Sequence, residues 1–169
     1  MDISLHAEYV LDIAAQRLHF NCTRWHVPSF YYEQIGAAAE LAARIFLGLP
    51  LVLHVHFDGG TDLRYMGYSV DIKATKLTPC IEHRYLQWMQ GKPIKSDIVW
   101  QWGVDLAHWK ALPVGWVWSK EMVAAPINYE RERPCHEISV PDLHPIYELY
   151  SLRNLSRGAN KIAAPSLAP

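Results

Sequence analysis

The sequence predicts an α/β domain in which helices lie against a β-sheet. Two stretches, 6–18 and 30–47, place apolar residues at helical spacing, while 50–118 breaks into short apolar runs bounded by Gly, Pro and polar residues. Half the residues are hydrophobic and a fifth are charged, the balance of an ordinary globular chain. At 169 residues the chain is long enough to bury one proper core. A single domain is expected over 1–155, with helix 6–18 packed on a core spanning 30–122. A flexible tail follows at 156–169, where Ala, Ser and Pro dominate.

In the first helix Tyr9, Val10, Ile13, Ala14 and Leu18 mark the buried face, which leaves Asp12 and Arg17 outward. Asn21 and Pro28 then delimit a loop. In the second helix Ile35, Ala39, Leu41, Ala42, Ile45 and Phe46 lie almost all round, so it should be well buried. Glu40 sits in the middle of that alanine-rich surface. It either pairs with Arg44 one turn on, or faces a functional site that the small alanines let the helix approach.

The segment 50–57 predicts a strand with a near-continuous apolar face. His54 and His56 share one side of it, a spacing that can hold a metal but equally suits hydrogen-bonded surface residues. Asp58-Gly59-Gly60 is a turn, and a strand carrying Asp62 follows. After a tight turn at Met66-Gly67 comes the strand Tyr68-Ser-Val-Asp71-Ile-Lys73-Ala-Thr75. Side chains two apart on a strand share a face, so Asp71 and Lys73 project together while Ile72 turns into the core. Pairing across Met66-Gly67 brings Asp62 close to Asp71. Two adjacent carboxylates raise each other's pKa unless a cation is present, and a hard divalent metal is the obvious one.

Further along, 76–90 reads equally as a short helix or a strand, and 91–95 as a polar turn. Strands are expected at 96–104 and 112–118, then a short helix opened by Ser119 and ended by Pro126. The polar stretch 127–136 reads as a loop, 141–150 as a last helical turn, and 154–169 as frayed chain.

The helix bearing Glu40, then Gly59-Gly60-Thr61-Asp62-Leu63, then Asp71-Ile72-Lys73 in an apolar strand, resembles the PD-(D/E)xK nuclease superfamily. The strand after Asp97 and the one at Val114-Gly-Trp-Val-Trp118 follow in that family's order. The resemblance covers about 32–122. It implies a restriction-endonuclease-like αβββαβ core, a central mixed sheet flanked by helices. It further implies a Mg²⁺-dependent phosphodiester hydrolase, an endonuclease or exonuclease, with Mn²⁺ able to substitute. Asp62 and Asp71 would bind the metal with the Ile72 carbonyl, Glu40 would bind or orient it, and Lys73 would position the attacking water. Thr61 stands where the family name has Pro, which leaves Asp62 and Asp58 as competing ligands. The expected partner is nucleic acid, DNA rather than RNA, with a homodimer one way to cut two strands. The other reading of the same residues is an inactive nuclease-fold module that binds nucleic acid or a partner protein. A plain hairpin with a weak Asp71–Lys73 surface pair is the reading without function.

A formal net charge of −1 offers no global pull on nucleic acid. The local excess is Lys73, Lys76, Arg84, Lys92 and Lys95 against Asp71 and Glu82. Seven Trp and nine Tyr are a heavy aromatic load, read mainly as core. Cys22, Cys80 and Cys135 are too scattered for a disulfide framework or a zinc site, which fits a reducing, cytoplasmic setting. No signal peptide is recognisable at the N-terminus and no apolar run is long enough to span a bilayer, so no membrane partner is expected. There is no GxSxG for a serine hydrolase.

Overall fold

Alternating side-chain direction along two neighbouring strands sets the layers of the molecule. The structure, a computed structural model, describes residues 1–21, 29–55, 60–77 and 85–159. Strand β1 (Leu63–Tyr65) pairs antiparallel with β2 (Tyr68–Lys76). Beyond the next strand in sequence, β4 (Ile98–Asp105) runs parallel to β2, and β5 (Lys110–Trp118) runs antiparallel to β4. The resulting mixed sheet has the order β1-β2-β4-β5. Val70 and Ile72 of β2, with Ile98, Trp100, Trp102 and Val104 of β4, point to one side and form the larger core. Val99 and Val117 point to the other side and join a smaller one.

Helices cover the first side. Helix α1 (Ala7–Asn21) and helix α2 (Phe30–Leu47) contribute Val10, Ile13, Ile35 and Leu41 to the larger core. The expected burial of α2 is observed over its middle, where Ala37, Ala38, Ala39, Leu41, Ala42 and Ala43 are all at 0 % exposure, while Phe30, Tyr31 and Tyr32 of its first turn are exposed. Small side chains let its backbone approach the sheet closely. The helix ends at Gly48, whose φ of 66° turns the chain so that the Leu49 N–H donates back to the Arg44 carbonyl at 2.9 Å. Helix α4 (Ile146–Ala159) adds Leu149 and Leu152, and the Phe46 ring packs 5.8 Å from those of Trp100 and Trp102.

A second sheet and helix α3 (Ser119–Ala124) cover the other side. Its antiparallel strands are β3 (Tyr85–Met89), β6 (Ile127–Asn128) and β7 (Cys135–Ser139), in the order β3-β7-β6. Leu86, Trp88 and Met122 meet Val99 and Val117 in the smaller core. Gly115 on β5 sits where a Cβ would fall 2.6 Å from that of Leu143, so the chain after β7 can close on the sheet only over a glycine.

Several expectations need correction. The first helix runs longer than 6–18, and Arg17 turns inward. Residues 51–55 form no strand, and the rest of that expected strand lies mostly outside the described residues, as do His56, Asp58, Gly59 and Glu82. The stretch 127–136 is not a loop but carries β6 and the start of β7, because Cys135 and its neighbours bond to β3. The last helical turn is a helix of 14 residues reaching Ala159, into the stretch read as frayed tail. After α2, β1 and β2, the next strand among the described residues, β3, joins the second sheet rather than the central one.

Candidate active site

The hairpin forms as the sequence requires: Met66 and Gly67 both have positive φ, 51° and 89°, the geometry of a type I′ turn. Its register ends at Leu63 opposite Val70, so β1 covers only the first part of the outer edge of β2. Asp62 closes the pairing. Its N–H donates to the Val70 carbonyl at 2.9 Å, and its Oδ2 accepts the Ile72 N–H. In extended chain the N–H and C=O of one residue point to the same side. The Ile72 carbonyl therefore faces the same edge as Asp62.

Asp71 and Lys73 project from the face that looks toward the second sheet, and Ile72 is buried in the larger core. Lys73 Nζ donates to Asp71 Oδ1 at 2.8 Å. It also lies 4.7 Å from the centre of the Trp88 ring, a cation–π distance. The two partners differ in access: the Lys73 side chain is 35 % exposed and that of Asp71 only 5 %. The second carboxylate oxygen of Asp71 is fully buried and accepts no hydrogen bond from the described residues. A buried carboxyl oxygen with no donor is costly even when Lys73 bonds its twin, and such an atom calls for a further donor or a cation.

Glu40 stands apart. It lies on α2, which covers the Ile72 side of β2, opposite to Asp71. Both its oxygens accept hydrogen bonds from Arg17, at 2.7 Å each, and Arg17 also donates twice to the His54 carbonyl, at 2.9 and 2.7 Å. Burial disfavours the charge on Arg17, but the bonds and charge of Glu40, joined by Asp62 and Glu33, raise its pKa above the usual value. The expected Glu40–Arg44 pair does not form. Arg44 instead donates to the backbone carbonyls of Asp62, at 2.8 Å, and Pro50, at 3.3 Å. Among the predicted site residues, Asp62, Asp71, Ile72 and Lys73 are thus gathered on β2 and its outer edge, and Glu40 is held on the helix side by an arginine.

Reading α1 by apolar spacing alone placed Arg17 in solvent. The sequence offered Arg44, one turn after Glu40, as the nearer cation, so nothing in the spacing pointed to Arg17. Two more lysines join the area. Lys92 Nζ is 5.3 Å from the Trp88 ring centre, and the stem of Lys95 lies against Gly60, two residues before Asp62.

No family model, curated protein or solved structure matches this chain. Function therefore rests on the chemistry of the site. Among the described residues no group of three or more His, Cys, Asp and Glu side chains is arranged to hold a metal. A hard divalent ion can be bound with fewer carboxylates, because Mg²⁺ keeps several waters and accepts backbone oxygens. The unpartnered Asp71 oxygen is the kind of ligand such an ion takes, and the Asp62 carboxylate and Ile72 carbonyl at the neighbouring strand edge are oxygens of the same kind. Glu40 does not fit as a direct ligand while Arg17 occupies both its oxygens.

Proposed function

We propose that the chain is a Mg²⁺-dependent phosphodiester hydrolase acting on nucleic acid, DNA rather than RNA, in the manner of the PD-(D/E)xK nucleases it resembles. One observation carries the reading: a buried, unpartnered carboxylate oxygen on Asp71, beside Lys73 on the same face and next to the edge held by Asp62. Asp71, Asp62 and the Ile72 carbonyl are the residues that would hold the cation. When bound, it would lower the pKa of attacking water and offset charge on the phosphate. Lys73, a compact ammonium on a side chain 35 % exposed, would hold the water or a phosphate oxygen in line. Lys92 and Lys95 extend the positive charge from this point along a strand of nucleic acid. Trp88 lies within cation–π distance of both Lys73 and Lys92. One site cuts one strand, so cutting both strands of a duplex at once would take a second copy.

A second reading is favoured by Glu40, whose oxygens are both committed to Arg17. A guanidinium there replaces part of the charge that a metal would supply, as expected of a nuclease-fold module that binds without cutting. The deciding experiment is cleavage of labelled single- and double-stranded DNA and RNA with Mg²⁺, Mn²⁺ or EDTA, using wild type, Asp71→Asn and Lys73→Met. The hydrolase reading expects metal-dependent cutting that falls roughly 100-fold or more in each variant. Binding of DNA with no cutting under any metal would establish the inactive module instead.

A further inference from the structure

Asp71 is not the only buried acceptor left without a partner on this face. Gln101 of β4 is 3 % exposed, and its Oε1 accepts no hydrogen bond from the described residues. Its Nε2 reaches only the Tyr85 carbonyl, at 3.5 Å. That contact orients the amide, because exchanging nitrogen and oxygen would set two carbonyl oxygens against each other. In the parallel register Gln101 lies directly beside Lys73, so the two side chains leave the same face of adjacent strands. The register between β4 and β5 also shifts at Gln101, with Gly115 opposite it and Pro113 opposite Trp102. Two strands thus each bring one buried oxygen with no donor among the described residues to the same side, and Lys73, bonded to Asp71, is the register neighbour of Gln101.

A buried amide with one long hydrogen bond on its nitrogen and none on its oxygen contributes nothing to packing that Leu or Met would not provide better. The cost is offset if the oxygen accepts from something that binds there. We infer that Gln101 is a positioning residue of the cation site at Asp71, its Oε1 accepting a hydrogen bond from the hydration shell of the divalent ion. Mg²⁺ and Mn²⁺ shells consist of strong donors, and a side-chain carbonyl matches them without adding charge. This assignment rests on the metal-binding reading of Asp71 proposed above.

The test is Mn²⁺ titration by calorimetry and electron paramagnetic resonance on wild type, Gln101→Leu, Gln101→Glu and Asp71→Asn, each first checked for a native circular-dichroism spectrum and melting curve. Wild type is expected to bind Mn²⁺, and Asp71→Asn to lose it. Gln101→Leu should bind about 10-fold more weakly, the usual cost of losing a partner of the outer shell. Gln101→Glu, which keeps an acceptor, should restore binding to the wild-type level or better, a rescue that a purely structural role would not show. Binding by Gln101→Leu equal to wild type, with Asp71→Asn still defective, would overturn the role of Gln101 and leave the metal site standing. Absence of Mn²⁺ binding by wild type would overturn both.

Discussion

Arg17 of α1 and Glu40 of α2 meet in a two-pronged ion pair, with both N–O distances 2.7 Å. The pair is nearly enclosed, at 12 % and 10 % side-chain exposure, and it ties the two helices to each other. Through the His54 carbonyl it also ties them to the chain that leads toward Asp62. Removing one partner strands the other charge in the interior. Arg17→Met should therefore lower stability by about 3 kcal/mol. The double variant Arg17→Met with Glu40→Leu should recover most of that loss. Urea denaturation of the four proteins of this cycle measures both effects. A single-variant loss below about 1 kcal/mol would mean that the pair behaves as a solvated surface contact.

Gly115→Ala is expected to be destabilising although it adds only a methyl group. The new Cβ would meet Leu143 Cβ at 2.6 Å and the His144 carbonyl at 3.1 Å, neither of which is a flexible side-chain end. The bridge that joins Trp116 to His144 would be forced open. A loss of about 2 kcal/mol follows from overpacking of this kind, read as a shift in denaturant midpoint at unchanged slope. An unshifted midpoint would show that the segment can retreat without cost.

Asp97 gives the molecule a defined acid response. The Ser69 hydroxyl, at 2.7 Å, and the Ser69 N–H, at 2.8 Å, both donate to its carboxylate and hold its pKa below the usual value. A carboxyl depressed in the folded state contributes stability above its ordinary pKa, and that contribution is lost as pH falls through the folded value. Ser69→Ala should thus melt below wild type near neutrality, and the gap should narrow below about pH 4. Melting temperatures taken from pH 7 to pH 2.5 test this. A gap that stays constant over that range would exclude Asp97 as its source.

Much of this organisation was legible in the residue pattern because it depends on local geometry. The extent of α2 follows from its apolar periodicity and from the glycine at its C-terminal end. The Met66-Gly67 turn follows from the need for positive φ, and the shared side of Asp71 and Lys73 from the period of two in a strand. Strand β3 was ambiguous because five residues with alternating burial satisfy either period over so short a span. Strands β6 and β7 were missed because polar, charged sequence can form strands when a neighbour supplies the hydrogen bonds. Their pairing to each other and to β3 joins parts of the chain far apart in sequence, which local propensity does not report.

The candidate site divides in the same way. The sequence by itself determined the mixed α/β character, a buried helix with one acidic residue in its middle, and a strand presenting a carboxylate and an ammonium together. These depend on spacing along one element. Only the tertiary structure decided that Glu40 answers to Arg17 and not to Arg44, and that Gln101 stands beside Lys73. It alone decided that one oxygen of Asp71 is buried with no donor. Each of those outcomes depends on which surfaces meet when helices pack on a sheet and strands settle into register. A buried charge takes whatever partner the packing brings within reach, and that partner is not set by its neighbours in sequence.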